Sequence, residues 1–119
     1  MYICLMYSSE LIKGTLKTII LNLLKEQGKM YGYEITQKVK NITQGELIIT
    51  EGALYPALHK LESEGLLKVE VMKVDNRLRK YYKLTGDGKK ESVSRLEELL
   101  RYIETMQQLV TPVNTIKIN

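Results

Sequence analysis

A mainly α-helical fold with one small β-hairpin and a long C-terminal helix is what this sequence predicts, and three observations predict it. Apolar residues recur at helical spacing in four separate stretches. Leu67, Val69 and Val71 alternate with Lys68 and Glu70, Asp75-Asn76 offers a turn, and Arg79-Lys80-Tyr81-Tyr82-Lys83-Leu84 returns as a β-rich run. The surplus positive charge sits on that hairpin and the turn after it. A short helix running straight into a basic two-stranded hairpin, over residues 50–84, is the outline of a winged helix-turn-helix.

Ser8 or Ser9 opens a first helix in which Ile12, Leu16, Ile19, Ile20, Leu23 and Leu24 recur at spacings of four and three, with Gly28 near its end. This is the expected central core helix. The second spans residues 32–43 with Ile35, Val39 and Ile42 inward, and Gly45 follows as its stop signal. Residues 46–49 are a short run ending in the β-branched Ile48 and Ile49, and a small strand is expected there. Thr50 is a good N-cap for the third helix, Leu54, Leu58 and Leu61 fall on one face, and Gly65 stands where a left-handed residue would stop it. Thr85 or Asp87 caps a final helix over residues 88–110, which Thr111-Pro112 terminates. No internal repeat or low-complexity linker intervenes. The expected division is a winged helix-turn-helix domain at 1–86, including the N-terminal helix, a dimerisation helix at 87–110 and a tail at 111–119.

A chain of 119 residues holds one hydrophobic core and not a second independent one, so an oligomer is plausible from the outset. With no Trp or Phe and 8 Tyr, that core must be built from Leu, Ile and Val, with tyrosines adding bulk and a polar tip. The lone Cys4 cannot close an intramolecular disulfide, and the apolar start Met1 to Met6 is too short for the apolar region of a signal peptide. No apolar run approaches the roughly 18 residues of a membrane span. A cytoplasmic protein without membrane contact is expected. Residues 73–90 carry seven basic residues against two acidic ones, a net +5 in a chain whose total is +4, so the remainder sums to −1. Charge so concentrated is the footprint of a polyanion-binding element, and the helix upstream weighs against the plainer reading of a solvated basic loop.

In the final helix Val93, Leu96, Leu100, Ile103 and Val110 take a and d positions, Leu99 and Met106 widen the stripe, and Glu97, Glu98, Arg101 and Glu104 flank it. Such a stripe must be covered. Folding back on its own domain is one solution. Pairing with the same helix of a second subunit is preferred, because about 22 residues make roughly 33 Å of helix, enough to overhang a domain this small. Gln107 weakens the seam near its end.

With Leu54, Leu58 and Leu61 inward, Gly52, Tyr55, Pro56, His59, Lys60 and Ser63 lie on the other side of the third helix, the side that would enter a major groove. Thr50, Gly52 and Tyr55 are the candidates for base contact, where small side chains let the backbone approach and the helix end attracts phosphate. Glu51 either accepts from a cytosine amine or caps the helix, and capping is the safer role for a first-turn acid. Pro56 lacks the amide that would bond to Gly52, which predicts a kinked or tightened first turn. His59, the only histidine, is a groove contact or a bare surface residue, and it lacks the companions a metal site needs. Tyr31 and Tyr33 start the second helix as candidates for phosphate contact or for core packing. In the hairpin, Arg77, Arg79 and Lys80 are expected to meet the backbone or minor groove. Neighbouring strand residues face opposite ways, so only one of Arg79 and Lys80 faces DNA, and one of Tyr81 and Tyr82 is core. Two such subunits would set their recognition helices about 34 Å apart on an inverted repeat in double-stranded DNA.

No catalytic constellation is visible: one His, one Cys and a Gly86-Asp87-Gly88 turn give an enzyme no support and imply no cofactor. A winged helix used purely as a protein-interaction module is the rival, and the basic hairpin argues against it.

Three segments together carry a family likeness. Tyr31-Gly32-Tyr33-Glu34-Ile35, then Ile49-Thr50-Glu51-Gly52-Ala53-Leu54-Tyr55-Pro56-Ala57-Leu58-His59-Lys60-Leu61-Glu62 with Gly65-Leu66, then Arg79-Lys80-Tyr81-Tyr82-Lys83-Leu84-Thr85 closely resemble the PadR-like family of bacterial transcriptional regulators. The likeness spans about residues 9–110, and the run from Ile49 to Glu62 is its most diagnostic part. The short length and single C-terminal helix look like the smaller branch of that family, whose members are homodimeric repressors. The resemblance implies dimerisation through the first and last helices, with Leu16 and Ile20 joining the stripe, and release by a small molecule. Leu16, Ile20, Leu99, Leu100, Ile103 and Met106 are candidates to line a small apolar effector cavity. Two departures stand out. Asn76-Arg77-Leu78 occupies the hairpin turn where members commonly have Gly and Pro around an Arg, and Leu99-Leu100 stands where some small members place a Trp that stacks planar drugs. The second argues against a flat aromatic ligand.

Overall fold

The computed structural model describes residues 7–111. In chain order its elements are α1 (Ser9–Lys13), α2 (Leu16–Gln27), β1 (Lys29–Tyr31), α3 (Gly32–Ile42), α4 (Glu51–Ser63), β2 (Leu67–Val74), β3 (Arg77–Leu84) and α5 (Gly86–Val110). The mainly helical class with a small sheet is therefore what the chain adopts. Cys4 and the residues after Thr111 lie outside the described region.

The expected first helix is in fact two. Ser8 caps α1 by accepting from the Leu11 amide, and the helix ends at Gly14, after which Thr15 gives both its amide and its hydroxyl to the Ile12 carbonyl, at 3.0 and 3.2 Å. Glycine is the costliest non-proline residue inside a helix, and threonine competes for nearby carbonyls, so the two together make the weak point. Helix α2 then lies at the centre. Its Leu16, Ile20, Leu21, Leu23 and Leu24 are buried with Ile35 and Val39 of α3, Leu54, Leu58 and Leu61 of α4, and Met30, Leu67, Tyr82 and Leu84 of the sheet. Leu16 and Ile20 are thus core residues of one subunit. An interior side chain offers no surface to a second chain, which corrects their expected place at the dimer seam, and neither residue borders the apolar groove beside Leu96 and Leu99. Ile42, expected inward, is exposed as the last residue of α3.

The sheet has three antiparallel strands in the order β1-β3-β2. Strand β2 pairs with β3 from Leu67↔Leu84 to Val74↔Arg77, and the two residues between them, Asp75 and Asn76, take positive φ of 52° and 63°. That is the two-residue turn whose twist matches a hairpin. The third strand is not where it was expected. Residues 46–49 form no strand because Thr43 folds them into a turn: its Oγ1 donates to the Val39 carbonyl at 2.8 Å and accepts from the Leu47 amide at 3.0 Å. Ile49 then drops into the core. Lys29–Tyr31 instead takes the free edge of β3, from Lys29↔Lys83 to Tyr31↔Tyr81.

Helix α5 is tied to the body at its first turn. The Thr85 hydroxyl donates to the Gly65 carbonyl at 2.7 Å and accepts from the Gly88 amide at 3.0 Å, and the Thr85 amide donates to the Leu66 carbonyl at 3.0 Å. A Cβ on Gly88 would collide with that same Leu66 carbonyl, so only glycine fits this approach. One turn later, buried Ser92 is small enough to let α5 lie close on the body.

Candidate nucleic-acid interface

Helix α4 divides cleanly into two faces. Leu54, Leu58 and Leu61 are buried, while Glu51, Gly52, Pro56, His59, Lys60 and Ser63 are exposed. The Thr50 hydroxyl accepts from the Ala53 amide at 3.2 Å, as its place before the helix predicts. The amides of Glu51 and Gly52, in the first turn, have no intrahelical acceptor. A Cβ on Gly52 would meet only the Thr50 hydroxyl, at 3.9 Å, so open space surrounds the positive end of the helix where an anion could approach. Pro56 sits inside an α-helix that continues to Ser63 without interruption, so its missing amide does not break the element.

Tyr55 has a neighbour in α3. It is half-buried, and its hydroxyl lies so close to Gly32 that a Cβ there would strike the phenol. This contact seats α4 on the first residue of α3. His59 stays exposed beside it, with ring centroids 6.5 Å apart.

The hairpin resolves both alternations. Tyr82 is the core tyrosine, and burial pushes its phenol pKa above the ordinary value. Lys80 shares its face of the sheet and is exposed beyond the edge of the core. Arg79 and Tyr81 take the opposite face. There the Arg79 guanidinium lies 4.1 Å from the Tyr31 ring centroid, Tyr81 meets Tyr31 edge-on at 5.4 Å, and Tyr33 stacks on Tyr31 at 6.5 Å. The Tyr81 phenol is the main cause that raises the Arg79 pKa further. Lys29 continues the row, 5.7 Å above Tyr81 and 2.8 Å from the Glu70 carboxylate, whose pKa it holds below the usual value. None of Lys73, Arg77 and Lys80 forms an ion pair among the described residues, and all three are exposed. No group of three His, Cys, Asp or Glu among the described residues is placed to hold a metal ion.

The α5 stripe splits in two. Leu96 and Leu99 are partly covered and border a groove of about 230 Å³ with Ile19, Leu23, Val39, Ile42 and Leu47. Val93, Leu100, Ile103 and Val110 are exposed, and Met106 is half-covered. No described helix is long and apolar enough to cross a membrane.

A helix-turn-helix formed by α3 and α4, followed at once by a basic β2–β3 wing, defines a winged helix-turn-helix protein. Comparison with known proteins fixes the family. Residues 20–94 match the model of the transcriptional regulator PadR-like family. A transcriptional regulator from Clostridium thermocellum is 34% identical, with a TM-score of 0.79 over 87% of this chain and 100% of that one. Bacillus subtilis PadR in complex with operator DNA is 32% identical, with a TM-score of 0.63 over 69% of this chain and 46% of that one. The transcriptional regulator Rv3488 of Mycobacterium tuberculosis is 43% identical over 58 residues, 46% of this chain and 54% of its own length. The chain belongs to the PadR-like family of transcriptional regulators, whose members are not enzymes.

Proposed function

We propose that the protein is a homodimeric, sequence-specific repressor that lays the N-terminal half of α4 in the major groove of an inverted-repeat operator and sets its wing on the adjacent backbone. The observation that carries this reading is the pairing of two features on consecutive elements. One is a helix whose bare N-terminal end is open to an anion; the other is a hairpin whose exposed cations form no ion pair among the described residues. The Bacillus subtilis relative solved on operator DNA supports it.

In this reading Thr50 and Gly52 approach the bases, Glu51 stays a first-turn acid, and His59 and Lys60 reach the groove wall from the same exposed face. Tyr33, exposed at the start of α3, takes a phosphate. Arg77 and Lys80 bind the backbone from the wing and carry the salt dependence. Residues up to the α5 cap form the DNA-binding unit, and α5 pairs two copies through Val93, Leu96, Leu99, Leu100, Ile103, Met106 and Val110. The apolar groove between α2, α3 and α5 is where a small apolar effector would shift that pairing and release DNA. Such a protein acts in the cytoplasm, where a bacterial operator is.

Fluorescence anisotropy on the protein's own promoter fragment and on a scrambled duplex tests the reading. A preference of about a thousandfold or more that survives physiological salt is expected. Weak binding to both duplexes that vanishes with salt would mark an interaction module instead.

A further inference from the structure

We propose that Tyr31-Gly32 is the joint that sets the angle between α4 and the wing, and that Tyr55 and Arg79 are positioning residues of that joint and do not themselves touch DNA. The inference rests on the DNA-binding reading above. It begins from a gap in the support of the hairpin. Strand β1 pairs with β3 only as far as Tyr31↔Tyr81, so the outer halves of β2 and β3 are a bare two-stranded ribbon, with Val71 and Leu78 exposed on the face whose inner end is core. An isolated two-stranded hairpin holds its own orientation poorly.

The opposite face supplies what the core does not. Glu70, Lys29, Tyr81, Tyr31 and Arg79 form one continuous row, joined in turn by an ion pair, a cation–π contact, an edge-on aromatic pair and a last step that places Arg79 over Tyr31 at 4.1 Å. That step fastens the outer half of β3 to the N-cap of α3. Tyr31 is itself fixed at the start of α3, because its amide donates to the Glu34 carboxylate at 3.1 Å. The next residue, Gly32, receives the Tyr55 phenol of α4. Two adjacent residues therefore hold the recognition helix on one side and the wing on the other. The hairpin tip is three residues beyond Arg79, about 10 Å of strand. A tilt of roughly ten degrees at the joint moves it by about 2 Å, enough to break a hydrogen bond to phosphate.

The test compares Arg79→Gln, Tyr31→Leu and the double variant with Lys80→Gln, by operator affinity across a salt series and by backbone amide relaxation of residues 73–78 in the free protein. Each single variant at the joint is expected to weaken operator binding about tenfold, and the double variant no more than either alone. Their salt slope stays at the wild-type value, whereas Lys80→Gln lowers it by about one unit. The relaxation data are expected to show new motion of the hairpin tip in Arg79→Gln and none in Lys80→Gln. A slope that falls in Arg79→Gln with the tip still rigid would overturn the proposal and make Arg79 a phosphate contact. Additive losses in the double variant would also overturn it. Should Tyr31→Leu fail to fold, Arg79→Gln decides alone, since Arg79 lies on the hairpin face away from the core. The relaxation experiment needs no DNA, so it judges the joint even if the wild-type protein shows no operator preference, a result that would reject only the DNA-binding reading.

Discussion

Helices α4 and α5 carry apolar residues at the same spacing of three and four, yet they dispose of them in opposite ways. Leu54, Leu58 and Leu61 of α4 are each 0% exposed, while Val93, Leu100, Ile103 and Val110 of α5 are 42%, 57%, 45% and 76% exposed. The difference is one of how many neighbours surround each helix. Helix α4 packs between α2, α3 and β2 and every one of its leucines is covered, whereas α5 lies along α2 on one side only and leaves the other side of its stripe and its far end bare. A period of three and four states that a stripe needs a cover. It does not state whether the cover belongs to the same chain.

The comparison breaks most sharply under truncation of the covered stripe. Leu58→Ala should cost about 2–5 kcal/mol of stability in urea unfolding, the range for a cavity in a well-packed core. A loss under about 1 kcal/mol would mean that α4 is not held as described. Gly88→Ala comes next, with an expected cost of about 1–3 kcal/mol, because the new methyl drives α5 off the Leu66 carbonyl. Circular dichroism melts at equal concentration would show it as a lower Tm. Changing the uncovered stripe should do the reverse of the first variant. Leu100→Lys with Ile103→Lys is expected to change the folding of a single subunit by no more than about 0.5 kcal/mol, yet to halve the mass seen by sedimentation equilibrium. An unchanged mass would show that the exposed stripe serves something other than pairing. The smallest effect is expected at Ser92, whose buried hydroxyl has no hydrogen-bond partner among the described residues. Ser92→Ala should raise stability by about 0.5–1 kcal/mol, since it removes an unsatisfied polar group.

What was legible in the sequence is what rests on local chemistry. Thr50 before α4, Asp75-Asn76 between the strands and Thr85 before α5 announce themselves because caps and turns are made by the residues that stand there. The strand Lys29–Tyr31 was not legible. Three residues without alternation say nothing alone, and they become a strand only because β3 offers a free edge. The break at Gly14 was hidden for the opposite reason, as the apolar period runs through it undisturbed. Candidate site residues divide in the same way. Gly52, His59 and Lys60 lie on the face that the helical period assigns them, and Arg79 and Lys80 on opposite faces as strand alternation requires. The contacts of Tyr55 and Arg79 were not legible, because their partners, Gly32 and Tyr31, are more than twenty positions away and no local pattern encodes them.

A hydroxyl-radical footprint of the protein on its own promoter tests the central claim most directly. Two matched patches of protection, related by a twofold axis and centred about 34 Å apart, are the predicted result. A single unsymmetrical patch, or cleavage that the protein leaves unchanged, would contradict a paired α4 and wing on DNA.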